Sequence, residues 1–140
     1  MSMDDEHDFH DLIGVERRDW RDGLVRLELD IQRRHLNRAG ILHGGVLLAL
    51  LDEAGGAAGV WCSVKGNRRW SVTVDLNCRF VGQSHEGRIS ITGEVVSSGR
   101  TLYFAKSEAR DSAGRLLAFG SSTHRWRRSS EKVEGVPKDG

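Results

Sequence analysis

From Gly23 the run Leu-Val-Arg-Leu-Glu-Leu-Asp-Ile alternates apolar and charged residues, the two-residue period of a strand that buries one face. The alternation predicts a strand that ends near Gln32. After a polar link through His35, Asn37 and Gly40 the period changes. Val46 to Val60 contains no proline and few β-branched side chains, which predicts a helix. It is apolar nearly all round, so other elements must wrap it on most sides. Four segments then return to alternation: Trp70 to Val81, Gly87 to Val96, Thr101 to Arg110 and Arg115 to Trp126. In the second, Ile89, Ile91 and Val95 share one face while Arg88, Ser90, Thr92 and Glu94 share the other. The links Gly82-Gln83-Ser84-His85, Ser97-Ser98-Gly99 and Asp111-Ser112-Ala113-Gly114 are turn chemistry suited to antiparallel neighbours. No internal repeat is visible. The implied class is α+β, a long antiparallel sheet curled around a central apolar helix.

A chain of 140 residues suits one domain, expected over 12–128. Residues 1–11 are rich in Asp, Glu and His, and 129–140 hold Ser, Lys, Glu, Gly and the only proline; both ends read as flexible tails. Lys and Arg total 21 against 20 Asp and Glu, so no excess charge draws the whole molecule to nucleic acid or an anionic membrane. Any anionic ligand must be held locally. Ile41 to Cys62 is long and apolar enough to raise a membrane span, but Asp52 and Glu53 at its centre would each cost ~2.5 to 3.5 kcal/mol, and the span is rejected. Cys62 and Cys78 lie in separate apolar stretches without a CxxC spacing or neighbouring histidines, which argues against zinc and for reduced core thiols. The start Met-Ser-Met-Asp-Asp-Glu-His-Asp is acidic where a secretory signal is basic, and a cytoplasmic location is expected.

His43-Gly44-Gly45 opens the helix. The two glycines leave the first backbone N–H groups bare, and a helix N-terminus attracts negative charge through unpaired donors and its dipole, so the tripeptide offers an oxyanion site. The alternative is that the glycines only permit a tight turn and close packing, with His43 fixing the turn. Asp52 shares a face with Leu48 and Ala49 in the most apolar stretch of the chain. A carboxylate there needs a partner or a purpose: a buried structural hydrogen bond, or service as general base or nucleophile. Glu53 points about a hundred degrees away round the helix and stands second. On a straight helix the Gly44 amide and Asp52 are ~12 Å apart along the axis. If both act on one carbonyl they come from different chains, which implies at least a dimer with two helices facing.

The run Asn37-Arg38-Ala39-Gly40-Ile41-Leu42-His43-Gly44-Gly45, followed by Leu50-Leu51-Asp52, resembles the hotdog-fold acyl-CoA thioesterases of the phenylacetate-pathway type, in which an Asn precedes His-Gly-Gly and a carboxylate follows on the central helix. Thr73-Val74-Asp75-Leu76-Asn77 resembles that family's second strand, and Ser98-Gly99-Arg100-Thr101-Leu102 the turn where its members contact coenzyme A. The resemblance covers 35–126. It implies a hotdog fold, an acyl-CoA substrate with coenzyme A part of that substrate, no separate cofactor and no metal, and a homodimer or a dimer of dimers. By position it makes Asp52 the group that activates water or attacks the thioester carbon, and the Gly44 amide the oxyanion donor. Asn37 and His43 would orient the carbonyl or water, Thr73 would set a hydroxyl beside the carboxylate, and Gly99, Arg100 and Thr101 would line the coenzyme A path.

Two other readings fit the same residues. An acyl-CoA-binding regulatory module would need no activated carboxylate, and no basic helix-turn-helix pattern precedes residue 23. A hotdog dehydratase or hydratase would pair a His with an acid, for which His43 and Asp52 supply the residue types. Trp61, Trp70 and Phe80 are the aromatics offered for an acyl pocket or for the core. Arg125, Arg127 and Arg128 form a solvated basic tail or meet nucleotide phosphates.

Overall fold

A computed structural model of the chain describes residues 8–138. It begins with a one-turn helix, α1 (Phe9–Ile13), which Asp8 caps by accepting the Asp11 N–H and which Gly14 ends in the left-handed region at φ 84°. A hairpin follows, β1 (Glu16–Arg21) and β2 (Leu24–Asp30), closed by Asp22-Gly23 with Gly23 at φ 79°, a pair of residues made for a two-residue hairpin loop. After a 3-10 turn at Arg33–His35 comes the central helix α2 (Gly44–Ala58). The chain continues through β3 (Asn67–Arg68), β4 (Ser71–Phe80), β5 (Arg88–Ser98), β6 (Leu102–Arg110), β7 (Leu116–Trp126) and β8 (Val136–Pro137). Six strands form one antiparallel sheet in the order β1-β2-β5-β6-β7-β4, and β3 pairs with β8.

The sheet curls over one side of α2. Leu47, Leu50, Leu51, Ala54 and Ala58 of the helix pack against Val25, Leu27, Leu29, Ile89, Ile91, Ala109, Leu117 and Ala118 from the strands. Gly93 lets this happen at close range: a Cβ there would collide with the Ala54 carbonyl. The helix is not enclosed on most sides, as its all-round apolarity suggests. Gly45 and Leu48 are exposed, and Ala49 and Asp52 only half-buried, so one stripe of an apolar helix faces away from its own sheet. The helix also starts two residues earlier than Val46 and stops at Ala58, where Gly59 turns its N–H back onto the carbonyls of Gly56 and Ala57.

Further differences from the sequence reading are local. β1 carries no alternation to detect, because it is an edge strand in which only Trp20 is half-buried. The segment after residue 128 packs onto the domain instead of trailing from it. Buried Arg69 donates to the backbone carbonyls of Trp61, Ser130 and Glu131, the Ser130 hydroxyl accepts the Trp70 N–H, and β8 pairs with β3. Backbone acceptors do this work, and they leave no mark on side-chain hydropathy. At the other end α1 occupies residues 9–13 within and beyond the expected tail; residues 1–7 lie outside the described part. Cys62 and Cys78 are free and half-buried; Cys62 lies off the core and donates to the Glu134 carbonyl at 3.1 Å, while Cys78 packs against the core and burial pushes its thiol up. Among the described residues no helix is long and apolar enough to cross a membrane.

Gly93→Ala is expected to lower stability by ~1 to 3 kcal/mol through overpacking against the Ala54 carbonyl, seen as a fall in the urea midpoint; an unchanged midpoint would contradict the close approach of helix and sheet.

Candidate active site

The loop before α2 is held by buried His35. Its Nδ1 accepts the Gln32 N–H at 2.8 Å, its Nε2–H donates to the Ile13 carbonyl at 2.7 Å, and its own carbonyl accepts the His43 N–H at 2.8 Å. Asn37 Oδ1 accepts the N–H groups of Ala39 and Ile41 and so closes the turn between them. His43 then caps the helix: its Nδ1 accepts the Gly45 N–H at 2.8 Å and its carbonyl accepts those of Val46 and Leu47. A helix leaves its first four amides without intrahelical partners. Here three of the four are satisfied, and among the described residues the Gly44 N–H has no acceptor. The atoms of Asn37 and His43 that remain without a protein partner are Asn37 Nδ2 and His43 Nε2.

Two turns along α2, Asp52 Oδ1 accepts a 2.7 Å hydrogen bond from the Thr73 hydroxyl. Thr73 sits at an irregularity in the β4–β7 pairing, where the register shifts between Thr73 and Asp75 and Thr73 stands opposite His124. Such bulges re-aim a side chain. His124 Nδ1 lies 3.3 Å from the Thr73 hydroxyl, and its Nε2 lies 2.7 Å from the Ser122 hydroxyl. The donor inventory fixes the sense of this chain. Thr73 spends its only hydrogen on Asp52, so it accepts from His124 Nδ1–H. The neutral imidazole is then the Nδ1–H tautomer, with Nε2 accepting from Ser122. Burial lowers its pKa below the ordinary 6.5, with the Asp52 charge acting the other way. Tyr103 stacks on it with ring centres 5.0 Å apart, and its hydroxyl donates to the Gly56 carbonyl and meets Ser71. The same burial pushes the Tyr103 hydroxyl up to about 12.

Asp52, Glu53, Gly56 and Ala57 of α2, with Val60 just past its end, line a cavity of about 260 Å³ that is also lined by Ser71, Thr73 and His124 and by Arg17 and Trp20. Asp52 is half-buried here rather than held in a dry pocket. Glu53 is paired with His10 Nδ1 at 2.7 Å, which leaves Asp52 as the carboxylate joined to the hydroxyl–imidazole chain. Sequence reasoning missed His124, Ser122, Trp20 and Arg17. A signal for the first two existed: Ser122 and His124 fall in the inward phase of β7 together with Ala118 and Gly120, opposite buried Ala105 and Tyr103. Trp20 had none, because β1 does not alternate. Trp61, Trp70 and Phe80 do not line this cavity; the Phe80 ring lies beside Gly44.

The structure brings Asp52 and Thr73 together and leaves Gly44, His43 and Asn37 at the far end of the helix, so His43 and Asp52 do not form an acid–base pair within one chain. Of the turn residues, Thr101 lines a second cavity of about 470 Å³ with Val72, Arg125, Arg127, Arg128 and Glu131. Gly99 instead closes the β5–β6 turn by donating to the Leu102 carbonyl, and neither Gly99 nor Arg100 lines either cavity.

The family model of the thioesterase superfamily matches residues 39–118, a span that includes the His-Gly-Gly cap, Asp52 and Thr73. The chain belongs to the thioesterase superfamily. Human acyl-coenzyme A thioesterase 13 is 33% identical over 103 residues, which is 72% of this chain and 71% of the relative. The crystal structure of zebrafish thioesterase superfamily member 2 superposes with a TM-score of 0.74 at 32% identity, covering 88% of this chain and 89% of that one. A hypothetical thioesterase protein from Streptococcus pneumoniae, solved with coenzyme A, shares the fold at a TM-score of 0.73 and 23% identity, covering 89% of each chain. The fold is the hotdog fold, and the protein is a thioester hydrolase.

Because His124 has a lowered pKa in the fold, the unfolded chain takes up a proton below about 6.5 that the native state refuses. This contribution to stability is complete above that value and is lost as pH falls through it. Urea unfolding followed from neutral to mildly acidic pH is expected to show a shallower loss in His124→Gln than in the parent; parallel curves would mean that the fold does not resist protonation of the His124 ring.

Proposed function

We propose that the chain hydrolyses an acyl-CoA thioester to the free acid and coenzyme A, with Asp52 of one subunit and the amide of the partner subunit's Gly44 acting on the same carbonyl. The observation that carries this is the Gly44 amide at the helix start, without an acceptor among the described residues, on the same rigid helix as a carboxylate that is oriented by Thr73 and whose second oxygen has no partner among those residues. The ~12 Å between them along the helix axis is too far for one carbonyl within one chain. The dimer is supported by two surfaces. The stripe of α2 that bears Leu48 and Asp52 is left uncovered, and β4 ends the sheet as a ten-residue edge strand with Val72, Val74 and Phe80 exposed. A long apolar edge invites another strand, and a twofold pairing of β4 with β4 would set the two helices face to face. Such dimers are also the unit from which a dimer of dimers is built.

In the reaction, Asp52 Oδ2 takes a proton from water as the water oxygen bonds to the thioester carbon. The carbonyl oxygen gains the electron pair and is stabilised by the partner subunit's Gly44 N–H at a positive helix end. Collapse re-forms the C=O bond and expels coenzyme A thiolate, which recovers the proton from Asp52. Thr73, held by neutral His124, keeps the carboxylate plane fixed. Asn37 Nδ2 and His43 Nε2 are the free polar atoms that orient the carbonyl or water beside Gly44. The nucleotide end of coenzyme A fits the cavity of Thr101, Arg125, Arg127 and Arg128, with Gly99 and Arg100 shaping the approach, since none of those three arginines has an ion-pair partner among the described residues. Guanidinium groups suit phosphate. The substrate is thus a small molecule, free in the cytoplasm, with no nucleic-acid or membrane partner, no metal and no further cofactor. The dehydratase reading loses its base, because His43 Nδ1 is spent accepting the Gly45 N–H and Nε2 then carries the ring hydrogen and can only donate.

Free-thiol release from acyl-CoA is expected to fall at least ~100-fold in Asp52→Asn, while Glu53→Gln keeps most of it; the reverse pattern would move the carboxylate by one residue. Arg127→Glu combined with Arg128→Glu is expected to lower kcat/KM for the CoA thioester relative to the matching N-acetylcysteamine thioester by ~10-fold, the scale of one lost charge-assisted contact. An unchanged ratio would remove the arginines from the coenzyme A path.

A further inference from the structure

The β1–β2 hairpin contributes two side chains to the Asp52 cavity that the reaction above does not use. In the pairing of these strands Arg17 stands opposite Leu27, Asp19 opposite Arg26 and Trp20 opposite Val25, with a register shift between Arg17 and Asp19. Leu27 and Val25 are buried. Without the extra residue, strict alternation would send Arg17 and Trp20 to opposite faces of the sheet. The bulge puts both on the inner face, and bulges of this kind recur beside binding sites. The indole is fixed by its Nε1–H, which donates to the Ala57 carbonyl at 2.7 Å, and the Arg17 guanidinium lies over the ring, 3.9 Å from its centre.

Arg17 is exposed at the cavity rim, and among the described residues its guanidinium has no hydrogen-bond acceptor. Its donors are therefore held in one place by the indole with nothing to receive them. Along the helix stripe, Ala57 lies ~7.5 Å beyond Asp52, so an acyl group extending from a carbonyl at Asp52 meets this pair within a few bonds. Asp52 and Glu53 line the same cavity, and a ligand carboxylate would bring a third negative charge against one guanidinium.

Resting on the acyl-CoA reading above, the geometry points to Arg17 and Trp20 as the acyl-selecting wall of the site, fitted to a compact acyl group that carries an uncharged oxygen acceptor, a hydroxyl or ketone, at its distal end. Arg17 is a specificity residue and takes no part in bond making. The nucleotide arm is directed to the cavity of Thr101 and the C-terminal arginines, which leaves the β1 side for the acyl arm.

The test compares kcat/KM for hexanoyl-, ω-hydroxyhexanoyl- and adipoyl-CoA in the full chain and in Arg17→Met and Arg17→Lys. The parent is expected to favour the ω-hydroxy thioester over hexanoyl by ~10-fold, the scale of a hydrogen bond from a charged donor, with adipoyl below the ω-hydroxy thioester. Arg17→Met should bring the hydroxy-to-hexanoyl ratio to about one, and Arg17→Lys should keep part of it. An equal ratio in parent and Arg17→Met, or a preference for adipoyl, overturns the inference. Hydrolysis of hexanoyl-CoA that depends on Asp52 leaves the thioesterase reading standing in either case, so the two failures are distinguishable.

Discussion

A helix is a rigid rod, and here one rod carries both an unsatisfied amide and a carboxylate, set eight residues apart. No rotation of side chains closes the ~12 Å between them, so a single carbonyl can meet both only where two copies of the helix run past each other. The rest of the molecule is consistent with that demand. The sheet covers the side of α2 that bears Leu47, Leu50, Leu51, Ala54 and Ala58 and leaves bare the stripe with Leu48 and Asp52. The strand whose Thr73 holds Asp52, β4, is also one of the two edge strands, paired on one side only.

How the carboxylate is held follows from packing. Gly55 has no side chain where Ser122 and His124 approach the helix, and Gly93 has none where β5 passes the Ala54 carbonyl. The gap at Gly55 lets β7 come close to the helix, where the imidazole reaches Thr73 and Thr73 reaches Asp52. An imidazole kept neutral by burial adds no cation to the site. It passes a hydrogen-bond direction from Ser122 to Thr73, so that the hydroxyl donates to Asp52 rather than turning away.

Much of this was legible in the sequence. Alternation in β2 and in β5 to β7 and the apolar character of α2 define the sheet and its helix, because each has one strongly buried face, whereas β4 alternates in sequence but stays largely exposed at the sheet edge. The His-Gly-Gly cap and Asp52 stood out because glycines at a helix start and an acid in an apolar run both violate local expectation. What was hidden lacked such contrast. β1 is an exposed edge without alternation, although Asp22-Gly23 was an available hairpin signal. Ser122 and His124 sit among other polar residues of β7, so their inward phase shows only once the register with β6 is known. The docking of the C-terminal segment rests on Arg69 meeting backbone carbonyls, a pattern no hydropathy profile contains.

The central claim, that each site draws its amide and its carboxylate from different subunits, is open to a subunit-mixing measurement. Gly44→Pro removes the amide while suiting the first position of a helix, and Asp52→Asn removes the charge; each alone is expected to be nearly inactive. Unfolded together and refolded at equal amounts, half the dimers are mixed and each holds one site with both native groups, so activity should return to roughly a quarter of the parent's. A mixture no more active than its two components would contradict a shared site.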